Sequence, residues 1–267
     1  MISEKRRDII QILIAAALIT FFFCTNFDPL WYLLARKLFS PFPLFLHFVN
    51  YDYLFFTVLF VLFIRFAFKH TFKEAGFTWN KETAVFGVFC LLYLLIPIAI
   101  NIFSIKSTYN VWVSPQIFII PIINNFLLIG VMEELVFRGF IFNKMCKFVS
   151  GKRSFIYAVL ISATFFFIVH IPSWIQYFRF IDIGLPEFFD RGYWIVFVMG
   201  IWTAAYYFYT KNLTMCILVH GVNNCIVSYT TGALSYICAW VFWIAAILLL
   251  LIKIKKSDFN SLIQKGN

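Results

Sequence analysis

Eight apolar runs of roughly 20 residues each constrain what this chain can fold into more than any other feature. A helix of that length crosses the hydrocarbon core of a bilayer, which is about 30 Å thick. With 63% apolar and only 13% charged residues, the chain also lies far from soluble domains, in which about a quarter of residues are charged. The pattern predicts an all-α, polytopic membrane protein forming a single membrane-embedded domain (1–267) with a short polar tail (253–267). The predicted spans are 9–24, 52–68, 83–103, 116–140, 154–171, 193–209, 213–229 and 232–252.

The distribution of lysine and arginine predicts that both termini are cytoplasmic. With the N-terminus inside, 17 of the 22 basic residues lie on the inner side, as the positive-inside rule requires. The other five, Arg36, Lys37, Lys106, Arg179 and Arg191, fall outside. This asymmetry explains the net charge of +10 without a nucleic-acid partner. The first apolar run ends without a small-residue cleavage site, so it is predicted to be a transmembrane helix rather than a signal peptide.

Two connections carry further predictions. Residues 27–50 combine prolines, charges and aromatic side chains, which favours an interfacial or re-entrant segment. The six cysteines have no Cys-x-x-Cys spacing and lie in or beside apolar runs. We interpret them as small buried hydrophobic residues.

A charged cluster interrupts the fourth apolar run. Glu133, Glu134 and Arg138 lie where lipid is expected, and each central charge costs roughly 2.5 to 3.5 kcal/mol on the insertion scale. These side chains must therefore face a polar cavity or protein partners, and ionisable groups at this depth indicate a functional site. Glu134 and Arg138 are four residues apart on one helical face, whereas Glu133 is offset by about 100°.

Two other apolar runs carry polar residues. His170 ends the fifth run, with Phe166 one turn before it, and His220 and Asn224 share a face of the seventh run. If they converge with Glu133, a carboxylate and a histidine can activate water while a second histidine and an amide stabilise an oxyanion. The structural alternatives remain open. Glu134 and Arg138 could form an ion pair that orients the helix, each histidine could be a buried residue whose ring nitrogens hydrogen-bond to its neighbours, and Asn224 could hydrogen-bond to a neighbouring helix.

Three motifs in these runs resemble those of one family. The segment EELVFRGF is similar to the EExxxR motif of the CAAX prenyl endopeptidase and bacteriocin-processing proteins, also called CPBP or Abi proteins. Phe166 to His170 matches the FxxxH motif, and His220 to Asn224 matches HxxxN. The motifs occur in the family's order, and the resemblance covers about residues 115–230.

The resemblance implies an eight-helix intramembrane endopeptidase whose catalytic cavity opens to the cytoplasmic side. Glu133 would be the general base that activates water, assisted by His170. His220 and Asn224 would stabilise the oxyanion, and Glu134, Arg138 and Phe166 would support them. No cofactor is expected; the alternative is zinc held by Glu133, His170 and His220, since a zinc site needs about three protein ligands.

The expected substrate is a membrane-associated peptide or protein, prenylated or bacteriocin-like, reached from the cytoplasmic leaflet of a bacterial cell membrane. The alternatives are a non-catalytic immunity or scaffold protein with the same fold, and a transporter that uses the charges as a relay. One geometric condition follows from the spans. His170 lies about 24 Å along its helix and His220 about 10 Å along its own, so they meet only if residues 150–157 project as helix into the cytoplasm.

Overall fold

Helices account for nearly all of the secondary structure in the described part of the chain. The computed structural model describes residues 4–25, 37, 51–109, 116–148, 154–181, 194–230 and 232–256, and contains no strand within them. The helices are α1 (Glu4–Thr25), α2 (Tyr51–Leu62, followed by a π-helical turn Phe63–Ala67), α3 (Lys81–Tyr109), α4 (116–148, called the motif helix below), α5 (Ser154–Ile181), α6 (Trp194–Thr210), α7 (Leu213–Tyr229) and α8 (Gly232–Lys256). The all-α prediction is confirmed.

Five helices of the described residues are long and apolar enough to cross a membrane. They contain Glu4–Cys24, Lys81–Ser104, Phe118–Lys147, Phe155–Pro172 and Ala233–Ile252. Three shorter apolar helices, Tyr53–Ala67, Trp194–Thr210 and Leu213–Tyr229, coincide with the remaining predicted runs. The number of spans that cross the bilayer and the orientation of the termini stay predictions. The 27–50 connection lies outside the described residues except for Lys37, and so do residues 150–153.

The motif helix alternates between α- and π-helical geometry. Its segments are Gln116–Ile122 (α), Ile123–Gly130 (π), Val131–Glu134 (α), Leu135–Phe142 (π) and Asn143–Phe148 (α). Every residue from Met132 to Phe142 is buried, so this helix is the centre of the bundle. Stretches of π-helix are rare and are frequent at functional sites, and here they flank the single α-helical turn that carries both glutamates.

Close helix contacts depend on two glycines. A Cβ at Gly200 in α6 would lie 3.1 Å from the Cα of Ala163 in α5, and a Cβ at Gly221 in α7 would lie 2.5 Å from the Phe126 ring of the motif helix. Without a side chain, each glycine lets the backbones approach closely, as small residues do in membrane bundles. These two contacts bring α5, α6 and α7 around the motif helix.

The first helix is fixed to the bundle through a buried ion pair. Lys144, just after the charged cluster, donates to Asp8 of α1, and both residues are buried. Isolated buried charges are costly, so each requires the other as its partner. Helix α1 also packs against α5, which brings Phe23 to the ring of His170.

Candidate active site

Glu133 and both histidines predicted from the sequence come together at one point. The Oε2 atom of Glu133 lies 3.7 Å from Nε2 of His170 and 3.7 Å from Nε2 of His220. Glu133 is 3% exposed and His220 2%, and the side chain of His170 is 14% exposed. A distance of 3.7 Å is too long for a direct hydrogen bond, so the three groups surround a common position rather than bonding one another.

The second glutamate contacts His220 as well as the arginine. Glu134 Oε1 accepts a hydrogen bond from Arg138 Nη1 at 3.1 Å and lies 2.8 Å from His220 Nδ1. The ion pair expected from the i, i+4 spacing is therefore present, with both side chains completely buried. The contact with His220 was not predicted, because nothing in the sequence spacing pairs Glu134 with a residue of α7.

The hydrogen bonds of the two histidines assign the same tautomer to both rings. His170 Nδ1 lies 2.6 Å from the carbonyl oxygen of Phe166, which can only accept, so Nδ1 carries the proton. Nδ1 of His220 meets the carboxylate of Glu134, which accepts because Arg138 donates to it. In both rings Nε2 is therefore the nitrogen that faces Glu133, and a partner on the other nitrogen fixes its orientation.

Arg138 is held on several sides. Its Nη2 donates to the carbonyl oxygen of Gly200 at 3.3 Å, and its guanidinium carbon lies 4.4 Å from the centroid of the Phe166 ring. Phe166 thus supports both the arginine and His170, whose ring centroid is 4.6 Å from its own. Within the described residues, Arg138 Nε and Glu134 Oε2 are buried without a hydrogen-bond partner.

Two aromatic rings enclose His170. The ring centroid of Phe23 in α1 lies 4.2 Å from the imidazole centroid, and Phe166 contributes the second ring. Phe23 is not one of the motif residues identified from the sequence. Phe23 is 2% exposed. Sequence reasoning missed this residue because it belongs to a run of three phenylalanines at 21–23 with nothing to distinguish them.

Asn224 occupies the next turn of α7 after His220 and is partly buried. Its Oδ1 accepts a hydrogen bond from Asn223 Nδ2 at 3.4 Å. Asn223 itself turns toward α8, where Trp243 Nε1 donates to its Oδ1 at 2.9 Å. The sequence predicts that Asn223 points away from the face shared by His220 and Asn224, and this contact agrees with that prediction.

The described residues do not form a metal site. The alternative ligand set for zinc is Glu133, His170 and His220, but no group of three or more His, Cys, Asp or Glu side chains in the described part of the chain has the arrangement needed to hold a metal ion. The expectation of no cofactor and its zinc alternative both stay predictions.

The comparisons with known proteins agree with the motifs. A family model described as "Type II CAAX prenyl endopeptidase Rce1-like" matches residues 115–226, from the start of the motif helix to the last turn of α7. This part of the chain is therefore similar to the Rce1-like family. No curated protein matches the chain, and no solved structure matches it. The Rce1-like family is a protease family, and the match together with the apolar helices indicates a multi-pass membrane protein.

The family match covers the elements that carry the predicted site and leaves out others that contact it. The motif helix, α5, α6 and most of α7 lie within the match, whereas α1 and α8 lie outside it. Phe23 and Trp243 therefore belong to parts of this protein that the family comparison does not describe.

Proposed function

We propose that this protein is a glutamate-dependent intramembrane endopeptidase in which Glu133 activates a water molecule. The observation that carries the proposal is the convergence of three helices on one buried carboxylate oxygen. Glu133 Oε2 is equally distant from Nε2 of His170 and of His220, at 3.7 Å. This spacing suits groups that act on one shared water, because a water can bridge polar atoms that are too far apart to bond directly.

The first step is general base catalysis. Glu133 removes a proton from the water as its oxygen attacks the carbonyl carbon of the scissile peptide bond. His170 accepts the second water proton in a hydrogen bond at Nε2, because its Nδ1 is occupied by the carbonyl of Phe166. Arg138 compensates Glu134, so the two acids differ in role: Glu134 is held as a carboxylate and Glu133 exchanges the proton.

The second step stabilises and then collapses the tetrahedral intermediate. Asn224 and His220 donate to the oxyanion, as preorganised donors do in other acyl-transfer sites. Donation from His220 Nε2 requires a doubly protonated ring because Nδ1 already carries a proton. The ring carries both protons before the substrate binds. Because Glu133 is protonated at this stage, Glu134, at 2.8 Å from Nδ1, supplies the negative charge that stabilises this imidazolium. Glu133 then returns its proton to the leaving amine, which regenerates the base.

The proposed substrate is a membrane-associated peptide approached from the cytoplasmic leaflet, either prenylated near its C-terminus or bacteriocin-like. The description of the matching family contains the words "CAAX prenyl endopeptidase", which favours a prenylated CAAX peptide. The exposed apolar side chains on the helices, such as Leu92, Phe103 and Leu248, suit a site reached within the bilayer.

The test is a cleavage assay in proteoliposomes with a farnesylated fluorogenic peptide ending in a Cys-aliphatic-aliphatic-X sequence, and with the same peptide lacking the prenyl group. We expect Glu133→Gln and Glu133→Ala to abolish cleavage, and His220→Ala to lower it by about 100-fold or more, the effect of removing one oxyanion donor. A preference for the farnesylated peptide would identify the substrate class.

Two controls separate a catalytic loss from a folding defect. Glu133→Gln preserves shape and removes only the base, so its melting temperature in detergent should match that of the wild type. Glu82 lies in the exposed first turn of α3, and Glu82→Gln should cleave normally. Normal cleavage by both Glu133 variants and by His220→Ala would end the protease proposal. Activity that survives dialysis against a strong chelator is expected, and its loss with recovery on adding zinc would favour the metal alternative.

A further inference from the structure

The last two helices are joined by a hydrogen bond that reaches toward the proposed oxyanion site. Trp243 of α8 donates from Nε1 to Oδ1 of Asn223 at 2.9 Å, and the two residues are 6% and 7% exposed. An indole N–H can only donate. The atom of the Asn223 side chain that meets it must therefore be the oxygen, which decides between the two orientations of that amide.

The orientation of Asn223 determines what it offers to its neighbour. With Oδ1 directed to Trp243, the Asn223 NH₂ group points to Met199 Sδ at 3.5 Å and to Asn224 Oδ1 at 3.4 Å. The thioether sulfur is a weak acceptor, so the amide oxygen of Asn224 is the stronger of the two partners. A donor at this position holds the oxygen of Asn224 toward Asn223.

The orientation of Asn224 is the property that matters for an oxyanion site. When its oxygen accepts from Asn223, its own NH₂ group remains available as a donor. The flipped amide would present an oxygen to the developing negative charge and would repel it. The hydrogen bonds from Trp243 to Asn223 and from Asn223 to Asn224 thus select the rotamer of Asn224 that is useful for catalysis. Hydrogen bonds from neighbouring residues commonly orient catalytic groups in this way.

We propose that Trp243 and Asn223 are positioning residues that set the amide orientation of Asn224. This inference rests on the oxyanion role of Asn224 in the proposed function. It extends the site to α8, which lies beyond the family match at residues 115–226. Trp243 is itself held by Trp202 of α6, with ring centroids 6.0 Å apart, so the indole that donates to Asn223 is fixed by packing.

A purely structural role is the competing explanation, because a buried indole N–H needs a partner and Asn223 supplies one. The two explanations differ in whether removing the indole N–H of Trp243 affects only stability or also the rate of catalysis. If Asn223 only satisfies Trp243, removing the indole N–H affects stability and leaves catalysis per folded molecule unchanged. If the hydrogen bonds from Trp243 through Asn223 orient Asn224, the same change lowers kcat, and does so only when Asn224 is present.

The central experiment compares Trp243→Phe with Trp240→Phe, with the farnesylated peptide as probe. Trp243→Phe keeps an aromatic ring and removes the donor, whereas Trp240 lies on the same helix with 48% exposure and serves as the matched control. We expect Trp243→Phe to lower kcat by about 10-fold, less than the 100-fold or more for losing an oxyanion donor outright, with KM unchanged. Trp240→Phe should behave as wild type.

A second variant separates the two hydrogen bonds of Asn223. Asn223→Asp still accepts from Trp243 but has no N–H to donate to Asn224, so it should lower kcat at least as much as Trp243→Phe. In an Asn224→Ala background, neither change should lower kcat further, because residues that act through one group are not additive. Multiplicative effects in that background, or a loss that appears in KM alone, would overturn the proposal.

A measurement independent of activity keeps the proposal testable if the peptide is not cleaved. The side-chain amide of Asn224, assigned by ¹⁵N NMR in detergent micelles through its loss in Asn224→Ala, should shift in Trp243→Phe and stay in place in Trp240→Phe. An unchanged Asn224 signal in Trp243→Phe would overturn the positioning role. Normal cleavage by Glu133→Gln would instead remove the catalytic proposal and leave the NMR result to decide the orientation of the amide.

Discussion

Replacing Arg138 with methionine removes the cation that compensates Glu134 while it keeps a long apolar side chain in place. Both partners of this ion pair are completely buried, with Arg138 Nη1 at 3.1 Å from Glu134 Oε1. The substitution also removes the hydrogen bond to the carbonyl oxygen of Gly200 and the cation above the Phe166 ring. The result is an uncompensated carboxylate in the centre of the bundle.

The expected cost follows from this burial. Breaking a buried ion pair by removing one partner costs about 3 to 5 kcal/mol, because the remaining charge loses its counterion without regaining water. Removing the second charge should reverse most of the penalty. The double variant with Glu134→Gln and Arg138→Met removes the carboxylate of residue 134 together with its counterion, and the glutamine oxygen can still accept from His220 Nδ1. We therefore expect a favourable coupling of about 2 to 3 kcal/mol between the two substitutions.

The assay is equilibrium unfolding in mixed micelles, measured for the wild type, both single variants and the double variant. Arg7 provides a matched control, because it pairs with Glu4 at 3.6 Å with side-chain exposures of 60% and 75%. Exposed pairs contribute little, so Arg7→Met should leave the unfolding midpoint unchanged. The reasoning is refuted if Arg138→Met is as mild as Arg7→Met, or if the two buried substitutions add without coupling.

Three further predictions concern contacts around the site. Phe23→Leu removes one of the two rings that enclose the histidine of α5 and should lower kcat several-fold. The control Phe21→Leu, on the exposed side of the same helix (60% exposed), should leave kcat unchanged, and equal rates for the two variants would contradict a role for α1. Gly221→Ala forces a Cβ to 2.5 Å from an aromatic ring of the motif helix and should destabilise the protein by about 1 to 3 kcal/mol, while Gly87→Ala, whose nearest contact is 3.7 Å, should be neutral in the same unfolding assay. Burial lowers the pKa of His70 below its ordinary 6.5, so the unfolded state binds its proton more tightly; the resulting stability is present above pH 6.5 and is lost as the pH falls. His70→Gln should therefore flatten the fall in melting temperature between about pH 7 and pH 5, and an unchanged slope would show that other groups cause it.

Much of the fold could be predicted from hydropathy because the bilayer leaves few alternatives to helices. The predicted run 213–229 coincides with α7, and the run 83–103 lies within α3. The π-helical segments on either side of the glutamates could not be predicted. They depend on how neighbouring helices pack against the motif helix, and the residues that form them, mainly Leu, Phe and Ile, are equally common in regular α-helices.

The helix positions of the site residues could be predicted, but the contacts between helices could not. Spacing within one helix predicted the Glu134 to Arg138 pair, since residues four apart share a face. Spacing carries no information about which atom of His220 meets which acid. It also gives no reason to single out Phe23 or Trp243, because each is one of several aromatic residues in its helix.

The geometry of His220 explains why two adjacent glutamates can have different roles. Neighbouring residues of a helix are about 100° apart, so Glu133 and Glu134 cannot both face one atom. The imidazole resolves this because its two nitrogens lie on different edges of the ring: Nδ1 meets Glu134 at 2.8 Å and Nε2 faces Glu133 at 3.7 Å. Because Arg138 donates to the carboxylate of Glu134, that carboxylate accepts from His220 Nδ1 and fixes the orientation of the imidazole ring. The ring in turn directs Nε2 toward the carboxylate of Glu133. In the proposed mechanism, one histidine from another helix thus gives the paired acids of the motif different functions. That mechanism therefore needs both glutamates and the arginine on one helix together with His220 on α7.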